Sequence, residues 1–194
     1  MQSRFTKKGD VEPPQTLRGY YLDEVISAVQ KEIRRGNEYQ AVYWALELES
    51  FNNKALWNRL KIIATEDIGL ANPTFPLLIF VLEKNYFDTY KKKSNASKLF
   101  LIQAVLLLSR SPKSRIVDDL FAIIDSDIKD YDKKIEIPDY ALDKHTFRGK
   151  KMGRGIKHFL EEGAKIANEK GENPYRKLAI ERMLNKKDLQ KNQE

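Results

Sequence analysis

Apolar residues recur at helical spacing from Leu17 to Asp125, and this pattern constrains the fold more than any other feature of the sequence. Leu22, Val25, Ile26, Val29 and Ile33 form one stripe, and Gly36 follows as a C-terminal stop. Ala41, Trp44, Ala45 and Leu48 mark a second helix. Leu56, Leu60, Ile63 and Ala64 mark a third, which stops near Gly69. Asn72-Pro73 reads as an N-cap with proline at the first helical position, opening an apolar segment that runs through Leu82. Ser97–Arg110 is apolar on nearly every side, which predicts a helix in the middle of a bundle, and Ser111-Pro112 breaks it. Ile116, Leu120, Ile123 and Ile124 restore the stripe. No alternating β-branched run and no Asn-Gly or Asp-Gly hairpin signal interrupts the series. The predicted fold class is all-α, a multi-helix bundle of about six to eight helices.

The composition changes after Asp125. Ser126 to Asp143 is charged, with a short Ile135-Glu136-Ile137-Pro138 turn, and Lys144 to His158 is glycine-rich and basic. Helical character is predicted again from Arg154 to Lys170. Asn173-Pro174 then starts a last helix, with a polar tail after Lys186 that is expected to fray. The predicted organisation is a flexible arm over 1–16, a helical domain over 17–125, and a basic loop with C-terminal helices over 126–194 packed on the same domain.

Composition narrows the chemistry. The absence of cysteine removes disulfides, thiolate metal sites and cysteine nucleophiles. The net charge of +7 favours anionic partners, nucleic acid first among them, although 28 acidic residues stand among 35 basic ones. Met1–Asp10 lacks the apolar core of a secretory signal. The most apolar stretches, Phe75–Leu82 and Leu99–Leu108, fall well short of the roughly 20 residues of a membrane span. A soluble, cytoplasmic protein with no membrane association is expected.

Three separated blocks are more specific. The first runs Val25-Ile26-Ser27-Ala28-Val29-Gln30-Lys31-Glu32-Ile33-Arg34-Arg35-Gly36. Asn37-Glu38-Tyr39-Gln40-Ala41-Val42-Tyr43-Trp44-Ala45-Leu46 follows, and after a gap comes Ile62-Ile63-Ala64-Thr65-Glu66-Asp67-Ile68-Gly69-Leu70-Ala71-Asn72-Pro73. In order and spacing, over roughly Tyr20 to Pro76, these blocks resemble the C-terminal region of the RarA/MgsA family of clamp-loader-like AAA+ ATPases. The resemblance implies a helical module, like the collar of a clamp loader, that assembles into a homo-oligomer, with a tetramer favoured. It also implies work in DNA replication and recombination, at stalled forks and gaps, beside single-strand-binding protein. From about Ser94 onward the match is poor. No Gly-x-x-x-x-Gly-Lys-Ser/Thr loop is present, so no cradle for nucleotide phosphates is expected and no cofactor is assigned.

The physical chemistry of individual residues narrows their roles further. Glu66 and Asp67 are adjacent carboxylates, but helix neighbours project about 100° apart and do not converge on one substrate. They are expected to brace the turn into Gly69, with Arg59 or Arg34 as partners. Tyr43, Trp44 and Trp57 suit base stacking, but core or interface packing fits their amphipathic helices better. In Lys144–His158, Lys144, Arg148, Lys150, Lys151, Arg154 and Lys157 are candidate contacts to nucleic-acid backbone, driven by charge and sensitive to salt. The bland alternative is a solvated basic loop. A stand-alone nucleic-acid-binding protein remains a second reading. An enzyme acting on a phosphorylated or nucleotide substrate, with His145, Arg148 and Asp143 in one pocket, is a third. His145 and His158 have no ligand spacing for a metal, and neither a metal site nor a catalytic residue is assigned.

Overall fold

The computed structural model describes the backbone of residues 13–191 and side chains as far as residue 185. The expected arm over 1–16 lies mostly outside these residues, as does the side-chain behaviour of the tail. Eight α-helices and no β-strand occur among the described residues; a single antiparallel bridge joins Gln15 and Tyr21. The all-α expectation holds. The chain divides into two compact units, residues 1–132 and 133–194.

In the first unit, α1 spans Leu22–Arg35 and ends on Gly36 in the left-handed conformation, as the sequence predicts. Its stripe of Val25, Val29 and Ile33 is buried completely or nearly so. The second and third predicted helices form one element, α2 (Glu38–Ile63), kinked where Asn52 leaves helical geometry at φ −155° and ψ 90°. The Asn52 side chain accepts the Ala55 N–H at 2.9 Å and so caps the second half. A π-helical turn (Ala64–Ile68) and a 3-10 turn (Gly69–Ala71) follow. Gly69 takes φ +47°, and a β-carbon there would lie 3.2 Å from the Ser114 carbonyl. The positive φ favours glycine, and the close contact adds to the cost of any side chain there.

α3 spans Phe75–Tyr90, and α4 spans Ser97–Arg110. The helix predicted to open at Pro73 begins two residues later. Asn72 accepts the Thr74 hydroxyl on its side chain and the Phe75 N–H on its carbonyl, forming a turn ahead of the helix. α4 packs against α1, α2 and α3 and is the central helix of this unit. It is not buried all round, since Leu99 faces outward. Trp57, Leu60, Ile63, Ile79, Tyr86, Leu101 and Leu108 fill the core these helices share. α5 spans Ile116–Lys129 and rests on the π turn and the 3-10 turn; none of its residues is buried.

The second unit carries α6 (Phe147–Lys151), α7 (Ile156–His158) and α8 (Arg176–Lys191), with a 3-10 turn at Asp139–Ala141 and a π turn at Phe159–Gly163. The helix expected from Arg154 to Lys170 is therefore shorter. It starts at Ile156 and ends at Gly163, and Asn168 then takes a positive φ that no helix accommodates. The final helix again opens late: Asn173 accepts N–H groups from Tyr175 and Arg176, and α8 begins at Arg176.

Candidate functional site

In the first unit the focus is Asp67, a carboxylate with no solvent exposure. Burying a bare carboxylate is costly, so its oxygens must accept hydrogen bonds. Oδ1 accepts from Arg34 Nε at 2.7 Å and from Arg115 Nη1 at 3.2 Å, while Oδ2 accepts from Gln30 at 3.0 Å. Its main-chain carbonyl accepts the Ser114 N–H at 2.9 Å. Glu66, beside it, accepts from Arg34 at 3.0 Å and Arg115 at 3.2 Å. Adjacent carboxylates can share two arginines because the π turn keeps both near one edge. Arg115 is also paired with Asp118 on the first turn of α5.

Of the two expected partners, Arg34 binds both acids. Arg59 reaches neither and donates instead to the Gln30 carbonyl oxygen at 3.1 Å. Arg115 was not foreseen. It lies 48 residues from Asp67, and nothing local in the sequence marks that pairing. Lys113, in the same loop, donates to the carbonyls of Leu108, Ser109 and Ser111 and thereby closes the end of α4. Burial pushes its ammonium below the usual lysine range, and the nearby Asp67 charge opposes this.

The aromatic candidates separate. Trp57 is fully buried against Tyr86, with ring centroids 5.3 Å apart. It is a core residue and presents no face to a base. Trp44 is partly buried and makes edge-on contacts with Tyr20 at 5.0 Å and Tyr43 at 4.9 Å. Arg18 lies over the Tyr43 ring at 5.7 Å. Two buried acids were not foreseen. They are Glu47 and Glu49, which nothing in the sequence pattern singles out. Glu49 accepts the Tyr86 hydroxyl at 2.7 Å, and burial, followed by this carboxylate, raises the phenol well above its ordinary pKa.

In the second unit the basic loop is folded. Asp143 is buried and accepts the His145 N–H at 2.9 Å, with the His145 ring nitrogen 2.9 Å from its other oxygen. Thr146 caps α6 by accepting the Gly149 N–H at 3.0 Å. Gly149 sits on the Asp143 backbone so closely that a β-carbon would come within 2.0 Å of its carbonyl oxygen. Arg154 does not project into solvent. It donates to the Asp139 and Leu142 carbonyls at 2.6 and 2.9 Å, pairs with the Asp139 carboxylate, and is only 15% exposed. Lys144 lies 5.8 Å from the Phe159 ring, and Lys151 caps the Phe147 ring at 4.5 Å. Arg148, Lys150, Lys151 and Lys157 are exposed, with Lys157 loosely paired to Glu161 at 3.9 Å. Asp143 and His145 meet as the enzymatic reading required, but no bond or ion pair joins Arg148 to either among the described residues.

A match to the model of the MgsA AAA+ ATPase C-terminal family extends over residues 36–175. The chain belongs to this family. It is 31% identical over 137 residues to the replication-associated recombination protein A of Bacillus subtilis (strain 168), a match that covers 69% of this chain and 31% of that protein. It is 29% identical over 102 residues to the ATPase WRNIP1 of Dictyostelium discoideum, covering 51% of this chain and 11% of that protein. The chain thus spans less than a third of either relative. The C-terminal family match begins at Gly36, so it takes in the second and third blocks but only the last residue of the first, and it continues past Ser94 through the loop from Lys144 to His158. Among the described residues, no helix is long and apolar enough to cross a membrane.

Asp143 gives a signed pH prediction. The His145 ring, and next its N–H, hold this carboxyl below its ordinary value of 3.8. The stabilisation it lends the turn is present above pH 3.8 and is lost as the pH falls through the lower folded value. By NMR, the Asp143 carboxyl carbon is expected to titrate with a midpoint below 3.8, and the Gly149 amide to lose protection only in that range. A midpoint at or above 3.8 rejects the clamp.

Proposed function

We propose that this chain is a non-enzymatic self-association module of a replication- and recombination-linked ATPase family. The observation that carries this reading is α5. Its apolar residues Leu120, Phe121, Ile123, Ile124 and Ile128 are 41–66% exposed, and the helix buries nothing. An amphipathic helix with an uncovered face is an interface or an aggregation liability. The face runs on into a shallow, mainly apolar groove of about 400 Å³ that includes Ile62, Val117 and Phe121. A second copy of the chain is the occupant, because a self-complementary apolar patch closes most simply by symmetry. In this role Tyr43, Trp44, Trp57, Glu66, Asp67 and Gly69 shape the module, and the proposed assembly is a homo-oligomer, with a tetramer favoured.

The exposed cations Arg148, Lys150, Lys151 and Lys157 support a second element of the reading, contact with DNA backbone, with Lys144 at its edge. Arg154 supports it only indirectly, as the brace that holds the turn beneath them. The replication and recombination setting follows the names of the relatives, and single-strand-binding protein is the proposed fork partner.

Light scattering of the full chain is expected to give a multiple of 22.6 kDa at micromolar concentration, and L120E/I124E a monomer with unchanged helicity. A monomeric parent protein overturns self-association. For the second element, K150E/K151E is expected to weaken binding to labelled DNA by about tenfold at low salt. Equal binding by parent and variant removes it.

A further inference from the structure

The turn between α3 and α4 carries Lys91, Lys92 and Lys93 in succession, and Lys98 opens the next helix. Lys91, Lys93 and Lys98 line one cavity of about 500 Å³, together with Tyr90, Ser94 and Asn95, and no acid lines it. Like charges gathered in a concavity raise its potential and draw in an anion. Two of these lysines are loosely paired outside the cavity lining: Lys91 with Asp88 and Lys98 with Glu49, each at 3.8 Å. Lys92 and Lys93 have no ion-pair partner among the described residues. Lys93 also holds φ +55°, a region that glycine or asparagine enters more readily, so a long cation stands where the backbone favours a small residue.

Most backbone amides of the turn are already used. Those of Lys91, Lys92 and Lys93 donate to Phe87, Thr89 and Tyr90 carbonyls, and those of Ala96, Ser97 and Lys98 donate to Ser94 and Asn95. Anion binding here therefore falls to the lysine side chains. Tyr90 adds an aromatic surface: one face stacks on Tyr86 at 5.5 Å and 16°, and the ring is 48% exposed. Buried Glu49 accepts the Tyr86 hydroxyl at 2.7 Å and is 3.8 Å from Lys98.

We propose that this cavity binds nucleotide phosphate through Lys91, Lys93 and Lys98, with Lys92 adding charge on the adjoining turn and Tyr90 stacking on the base, and that a single-stranded nucleic acid is the occupant. Charge with an aromatic platform is the general requirement for binding single strands without sequence readout. The site is separate from the basic residues of the second unit and does not depend on them or on self-association.

The test is an NMR titration of the full chain with inorganic phosphate, AMP and oligothymidylate, followed through the amides of residues 90–98. It is paired with fluorescence anisotropy of a labelled oligothymidylate. The strand and AMP are expected to shift these amides, the strand at lower concentration, and inorganic phosphate only weakly. K92E/K93E, at two exposed positions, is expected to weaken the strand about tenfold and to flatten the salt dependence. Y90L is expected to weaken the strand and AMP several-fold and to leave the phosphate response unchanged. K150E/K151E is expected to leave the 90–98 shifts in place, so a failure of the second-unit contact reads differently from a failure here. If no probe moves these amides at low salt, or if K92E/K93E binds as the parent does, the site is refuted. If phosphate alone shifts them, with Y90L neutral, the nucleotide assignment is refuted.

Discussion

A single buried carboxylate organises the first unit. Asp67 receives hydrogen bonds from Gln30 and Arg34 on α1, from Arg115 at the foot of α5, and from the Ser114 backbone. It thereby ties together the start of the bundle, the end of α2 and the loop leading to the last helix of the unit. Asp67 stays out of water while Arg34 and Arg115 are a third or more exposed, so losing one arginine costs less than removing a partner from a fully buried pair. The apolar core would stabilise many arrangements of these helices; this network selects one. Gly69 is part of the same solution, since its positive φ and close approach to the Ser114 carbonyl both favour glycine.

The consequence is a helix held by its base rather than by its face. α5 meets the rest of the unit at the π turn and the 3-10 turn, and its apolar side stays open. A helix buried against its own bundle would present no such surface. The second unit relies on the same kind of device on a smaller scale. Asp143 and Arg154 fold a basic segment onto its own backbone and leave four other cations outside. In both units a few internal ion pairs decide which groups are turned outward.

Much of the fold was legible in the sequence because burial imposes a period. The stripe Val25, Val29, Ile33 predicted α1 and is its buried face. The same signal at Ile116, Leu120 and Ile124 predicted α5 equally well, yet those residues face solvent. Periodicity reports amphipathicity, not the identity of what covers it. Helix starts were misplaced at both Asn-Pro pairs, since the asparagine side chain and carbonyl form a turn before the helix. The candidate sites were harder to read. The pairing of Glu66 and Asp67 with Arg34 followed from residue type, but their convergence on the same two arginines did not, since α-helical neighbours would splay about 100° apart. Arg115 and the buried Glu49 did not follow either, because their partners lie 48 and 37 residues away and charge alone carries no sign of burial. Arg154 looked like any other loop cation until its carbonyl partners were placed.

The central claim is that the Asp67 anchor, acting through Arg115, holds α5 in its presenting position. Hydrogen exchange of Arg115→Ala, followed by mass spectrometry, tests this most directly. The account predicts that amides of Ile116–Lys129 exchange roughly tenfold faster or more while α1 and α4 keep their protection. Unchanged protection of α5 in that variant would contradict it.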